Sequence, residues 1–143
     1  MSAPLEGLTV LLIDDSRAVR GVIKTLLRGL GVRDVFESAD GDEALVLANT
    51  CRPDLVLVDY DLGHVSGLDV VRGLRDQRMS PNPDMPVLLL APVDLPYLVS
   101  GASDAGASAI LPKPINASTL GASIETVVTA RHATHSSQMR ACH

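Results

Sequence analysis

The sequence predicts an α/β fold: a doubly wound parallel sheet of five strands with five helices. Two observations carry that reading. Short apolar runs alternate with longer amphipathic segments along the chain, and a strict βα order implies a parallel sheet with right-handed crossovers and helices on both faces. Three of the short runs are apolar throughout, as parallel strands covered on both faces require. The 143 residues suffice for one domain with a real core. We expect that domain over 1–131 and a flexible tail over 132–143.

The strands are read in order at "LTVLLI" (8–13), "DVFES" (34–38), "LVLVD" (55–59), "PVLLLA" (86–91) and "SAILP" (108–112). Between the first two, segment 16–30 places Val19, Ile23, Leu26 and Leu30 on one helical face, with Arg17, Arg20, Lys24 and Arg28 opposite. Segments 41–51 and 66–77 read as the next two helices. Segment 94–105 is a weaker helix, with Pro96 near its start and Gly101 inside. Segment 116–131 sets Leu120, Ile124 and Val127 on one side. Gly31 and Gly106 read as helix stops. The loop 75–86 is rich in proline and polar residues and is expected to be solvated. The tail "RHATHSSQMRACH" has no apolar period and is expected to fray.

Composition narrows the function. Hydrophobic residues make up 46% and charged residues 20%, the balance of a soluble globular chain with an aliphatic core, since aromatics are only 2%. A net charge of −5 argues against binding nucleic acid by phosphate neutralisation. Cys51 and Cys142 make no disulfide framework, so a reducing, cytoplasmic setting is expected. No stretch has the length of a membrane span, and "MSAPLEGLTV" lacks the regions of a signal peptide.

Four ionic residues fall where a doubly wound sheet keeps its ligand sites, at strand carboxyl ends. Asp14 and Asp15 follow the first strand, Asp59 ends the third, and Lys113 follows the fifth. Three carboxylates in one cleft repel. A divalent cation with a taste for oxygen, Mg²⁺, relieves that repulsion. With the lysine ammonium it makes a site for a phosphoryl group, for which a carboxylate is the available nucleophile. Taken alone, Asp14 and Asp15 read equally as a solvated turn and an N-cap for the helix at 16–30. His64 reads as a solvated loop residue, and Cys51 as half-buried packing.

The combination of "IDDS" (13–16), "LVLVD" (55–59), Gly67, "MPVLLL" (85–90) and "GASAILPKP" (106–114) resembles the response-regulator receiver domains (CheY-like) of two-component signalling, from about Leu8 to Val128. The resemblance implies the flavodoxin-like strand order 2-1-3-4-5, an order that alternation alone does not supply. It implies Asp59 as phosphoacceptor, with Asp15 and Asp59 as direct Mg²⁺ ligands. Asp14 would act directly or through water, and the backbone carbonyl of Asp61 would complete the protein's share. Lys113 would contact the phosphoryl group, and Pro114 matches the family pattern. A histidine kinase or phosphotransfer protein is the implied donor. The chain would be no enzyme beyond its own Mg²⁺-dependent phosphorylation and dephosphorylation. With about a dozen residues after the last helix, the expected form is a single-domain regulator that signals by protein contact.

Three positions depart from the family pattern. Ala91 stands where Thr or Ser usually offers a hydroxyl, and Pro92 stands where a backbone N–H is usual. Ile110 replaces the rotating aromatic. The expectation is an atypical switch, with a receiver-like adaptor uncoupled from phosphorylation, or a phosphate sink, as the alternative. After Asp59, Leu62-Gly63 replaces Met-Pro, which frees the loop. A further alternative is an aspartate-nucleophile phosphatase, prompted by the D-x-D of Asp59 and Asp61. For a downstream target or a homodimer partner, the low-charge face around Leu95, Tyr97 and Leu98, with small groups at Ala117, Gly121, Ala122 and Thr129, is the expected surface. The basic stripe on 16–30 is either a solvated face or a contact for the phosphodonor.

Overall fold

Strands β1 (Thr9–Ile13), β3 (Leu55–Asp59) and β4 (Val87–Ala91) are buried along almost their whole length, and they form the centre of a five-stranded parallel sheet. β2 (Asp34–Ser38) and β5 (Ala109–Pro112) are the edges, in the order β2-β1-β3-β4-β5. The architecture comes from a computed structural model that describes residues 3–76, 83–92 and 96–141. The expected fold class and strand order are those observed. Within 75–86, residues 77–82 lie outside the described residues, as do Leu95 and Cys142.

Alternation along each central strand builds two cores from one sheet. Leu11, Ile13, Val56, Val58, Val87 and Leu89 point to one face. There they meet α3 (Gly41–Cys51) through Ala44 and Ala48, α4 (Gly67–Arg75) through Val70, Val71 and Leu74, and α5 (Pro96–Ala105) through Ala102 and Ala105. Val10, Leu12, Leu55, Leu57, Leu88 and Leu90 point to the other. There they meet Ile23 and Leu27 of α2 (Arg17–Gly29), and Leu120, Ile124 and Val127 of α6 (Ala117–Ala141). Truncating any of these leucines to alanine would cost about 2–5 kcal/mol, transfer and cavity terms together.

Local chemistry sets the helix ends. Ser16 caps α2, its hydroxyl accepting from Val19 N–H at 3.2 Å, and Ser66 caps α4 in the same manner with Leu68. Gly31 and Gly106, predicted as stops, adopt φ of +101° and +104°, a region other residues rarely enter.

Several expectations are corrected. The fully buried residues of α2 are Ile23 and Leu27, Leu26 and Leu30 are half-buried against the same core as expected, and Val19 is 37% exposed. Adjacent leucines at 26 and 27 both reach that core, and the contact of α2 with α6 accompanies the deeper burial of Leu27. Helix α6 continues to Ala141 instead of ending near 131. Segment 122–141 holds neither glycine nor proline, so nothing in the backbone stops it. A single helical turn, α1 (Ala3–Glu6), precedes β1 and seats Leu5 in the core; four residues are too few to show a period. Leu98, expected on the partner face, is 3% exposed and packs in the core with Ala102 and Ala105. Gly121 also faces inward, where an added Cβ would stand 3.1 Å from Leu30. The side chain of Tyr97 lies outside the described residues.

Candidate functional site: an acid cluster at the strand ends

Parallel register assembles the site. Ile13 is paired with Val58 and Asp59 with Leu90, so Asp14 and Asp59 occupy the next step at the carboxyl ends of neighbouring strands. Ala91 is paired with Pro112, which sets Lys113 immediately beyond, its N–H donating to Ala91 O at 2.9 Å. The Lys113–Pro114 peptide is cis. A slip of one residue in β3 would turn Asp59 to the opposite face.

Four of the predicted residues are brought together. Carboxylate oxygens of Asp14, Asp15 and Asp59 lie within 4.8 Å of one another. Lys113 Nζ stands 2.8 Å from Asp59 Oδ1. The two form an ion pair, and it is the only partner that Asp59 Oδ1 has among the described residues. Asp59 is 5% exposed and Asp14 1%, while Asp15 is exposed. Asp14 Oδ1 accepts from Ser16 N–H at 2.8 Å, but its buried Oδ2 has no partner.

Burial is the main force raising the pKa of Asp14 above its ordinary value. The Ser16 N–H opposes it, the negative charge of Asp59 adds to it, Lys113 opposes it, and Asp15 adds again. Two buried carboxylate oxygens without hydrogen-bond partners, in a group of three acids with one lysine, are an incomplete electrostatic arrangement. An octahedral, oxygen-seeking cation such as Mg²⁺ fits that donor set and would be held by Asp14, Asp15 and Asp59. The capping alternative for the acids does not hold, because Ser16 takes that role.

Asp61 is placed differently. Its side chain is exposed, Oδ1 accepts from Gly63 N–H at 3.0 Å, and its carboxylate is not in the group of three. Its backbone belongs to a short antiparallel bridge with Ser66 that returns the chain to α4. Gly63 has φ +85° in this loop. Gly67 N–H donates to Tyr60 O at 2.6 Å, drawing the start of α4 onto the acceptor strand. His64 is exposed, as expected.

Ala91 and Pro92 lie at the end of β4, the neighbour of the strand that ends in Asp59. Ala91 is fully buried at the end of β4, Pro92 beside it is exposed, and Ile110 is half-buried against the core cluster that includes Ala91. Cys51 is half-buried, and that burial pushes its thiol pKa up, away from nucleophilic character.

The basic stripe is not a uniform solvated face. Arg20 Nε and Lys24 Nζ meet Glu37 of β2 at 3.1 and 2.8 Å, and Arg20 Nη1 also donates to Asp14 O. Sequence reasoning missed this link. The available signal was the i, i+4 spacing of Arg20 and Lys24 together with the one acid that β2 alternation turns toward α2. Among the described residues no helix is long and apolar enough to cross a membrane.

Comparison with known proteins agrees with this geometry. The family profile of the response regulator receiver domain matches residues 10–125. The transcriptional regulatory protein PdtaR of Mycobacterium tuberculosis is 34% identical over 84% of this chain, which spans 56% of that protein's length. The chemotaxis protein CheY of Pseudomonas aeruginosa is 30% identical over 82% of this chain and 94% of its own. The crystal structure of the chemotaxis response regulator CheY4 of Vibrio cholerae superposes with a TM-score of 0.75 at 30% identity, covering 84% of this chain and 98% of that one.

Proposed function

The chain belongs to the response regulator receiver domain family, and from that premise we propose that Asp59 accepts a phosphoryl group from a histidine kinase or phosphotransfer protein. The signal then passes by protein contact. The observation that carries the reading is the group of three carboxylates with Lys113 Nζ 2.8 Å from Asp59.

The chemistry follows from the arrangement. A carboxylate oxygen of Asp59 attacks phosphorus, the new O–P bond forms, and the bond to the donor's nitrogen or oxygen breaks in line. Lys113 supplies positive charge to the equatorial oxygens, on which negative charge is spread during transfer. Asp14, Asp15 and Asp59 would hold a divalent cation, which would offset the charge of the acids and of the incoming phosphoryl group. The floor of hydrophobic strand residues keeps the low dielectric that makes these charges effective. Membership of the receiver family favours this reading over an aspartate-nucleophile phosphatase.

A second reading is favoured by Ala91 and Pro92. Neither offers the phosphoryl group a donor from its usual side, and each missing hydrogen bond to a charged group weakens the phosphorylated conformation by roughly 1.5–3 kcal/mol. Ile110 already packs on the core. On this reading phosphorylation proceeds but moves the structure little, and the protein serves as an adaptor or a phosphate sink.

Incubation with Mg²⁺ and a small phosphodonor, followed by intact mass measurement, tests the main reading. One acid-labile phosphoryl group is expected on the parent and none on Asp59→Asn. Labelling that persists in the Asn variant, or a parent that no donor or kinase labels, refutes it.

A further inference from the structure

Arg20 and Glu37 take no part in the acceptor chemistry, yet Arg20 reaches the turn that carries two of its acids. Its Nη1 donates to the carbonyl oxygen of Asp14 at 2.6 Å, while Nε donates to Glu37 Oε1 at 3.1 Å. The guanidinium side chain is only 14% exposed. Its planar fork serves two acceptors at fixed angles, which a lysine in its place could not do. Glu37 is held in turn by Lys24 Nζ at 2.8 Å. These bonds keep Glu37 charged, its pKa lowered chiefly by the Lys24 hydrogen bond, against burial and with help from Arg20.

The consequence lies in the peptide between Asp14 and Asp15. The N–H of Asp14 donates to Ser38 O at 3.0 Å, at the end of β2. Its carbonyl goes to Arg20. The residue is therefore tied to β2 twice, once by backbone and once through Arg20 and Glu37. Asp15 is exposed. The peptide that joins it to Asp14 is held by Arg20 through the Asp14 carbonyl.

We infer that Arg20, oriented by Glu37, is a positioning residue that fixes the Asp14–Asp15 turn so that both carboxylates face the divalent cation. The inference rests on the Mg²⁺ reading above. Its sign separates it from simple electrostatics. A guanidinium repels a cation, so charge alone predicts tighter Mg²⁺ binding when Arg20 is removed. Loss of positioning predicts weaker binding, because ligands held by an outer shell lose affinity when that shell is cut.

The test uses the full chain and Mg²⁺ alone, with affinity measured by titration calorimetry and stability by urea unfolding. Arg20→Met is expected to bind Mg²⁺ roughly tenfold more weakly. Lys24→Met makes the same charge change and cuts the other bond to Glu37, but does not touch Asp14. It is expected to lose a similar amount of stability and to bind Mg²⁺ as tightly as the parent or slightly more so. Should the Met variant not fold, Arg20→Gln carries the same expectation, since its shorter amide cannot span Asp14 and Glu37. An Arg20 variant that binds Mg²⁺ as well as the parent overturns the inference, and so does an equal loss in Lys24→Met. A parent that binds no Mg²⁺ overturns the metal reading and this inference with it.

Discussion

A methyl group at Gly67 would strike the acceptor strand. An ideal Cβ there overlaps the carbonyl oxygen of Asp59 and lies 2.9 Å from its carbonyl carbon and 3.0 Å from Tyr60 Cα. All three are backbone atoms and cannot rotate away, so Gly67→Ala must move either the start of α4 or the strand end that holds Asp59. Overpacking of this kind costs about 1–3 kcal/mol. The Gly67 N–H bond to Tyr60 O, 2.6 Å long, is stretched or lost for about 1 kcal/mol more. Alanine's better helix propensity returns at most about 1 kcal/mol. The net expectation is a loss of about 2–3 kcal/mol, or roughly 4–12 °C in Tm, accompanied by weaker Mg²⁺ binding because Asp59 is displaced. Two other helical glycines are the controls. At Gly73 the added Cβ meets only the mobile ends of Leu45, at 2.9 and 3.0 Å, and at Gly101 it meets Leu68 Cδ1 at 3.6 Å. Both alanine variants should be neutral, or stabilised by up to about 1 kcal/mol. Circular dichroism during heat and urea unfolding reads all three. If Gly67→Ala unfolds with the parent, or all three lose equally, the close approach at Asp59 does not govern stability and the reasoning fails.

Mg²⁺ should raise the melting temperature by relieving the three carboxylates, by about 1.4 kcal/mol at ten times Kd, roughly 3–6 °C. Asp15→Asn should shrink that gain, and identical melts at millimolar Mg²⁺ would count against the site. Ion pairing holds Glu37 below its ordinary 4.5, so its contribution is complete above that value and is lost as pH falls through the lower folded one. Glu37→Gln should therefore be less stable than the parent at neutral pH and converge with it in acid. Asp14, raised by burial, acts with the opposite sign in both proteins. A stability gap that does not change with pH would exclude the pairing. For the switch, Ala91→Thr with Pro92→Ala should bind beryllofluoride more tightly than the parent in a titration followed by amide shifts. Large shifts across α5 and β5 in the parent itself would show that its switch is intact.

What the sequence determined by itself was the alternation of strands and helices from β1 onward and which ionic residues stand at the strand ends. Apolar runs located the buried strands, β3 to the residue and β1 and β4 to within one, because strands covered on both faces leave little room for polar positions. Gly31 and Gly106 marked their stops, since their backbone angles are costly for any other residue. Asp14, Asp15, Asp59 and Lys113 were legible because strand ends are the one place where charged groups can follow buried runs and still converge. Tertiary packing decided the rest. The deeper burial of Leu27 than of Leu26 in α2, and the inward turn of Leu98, depend on which surface each helix meets. Periodicity states which residues could be buried, not the rotation at which the helix docks. The Arg20–Glu37 link joins residues 17 apart in sequence, and the contact of Gly67 with Asp59 depends on how the returning loop closes. Such contacts arise from register and loop path, which involve the whole chain; residue spacing could at most place Arg20, Lys24 and Glu37 on facing surfaces, not show that they meet.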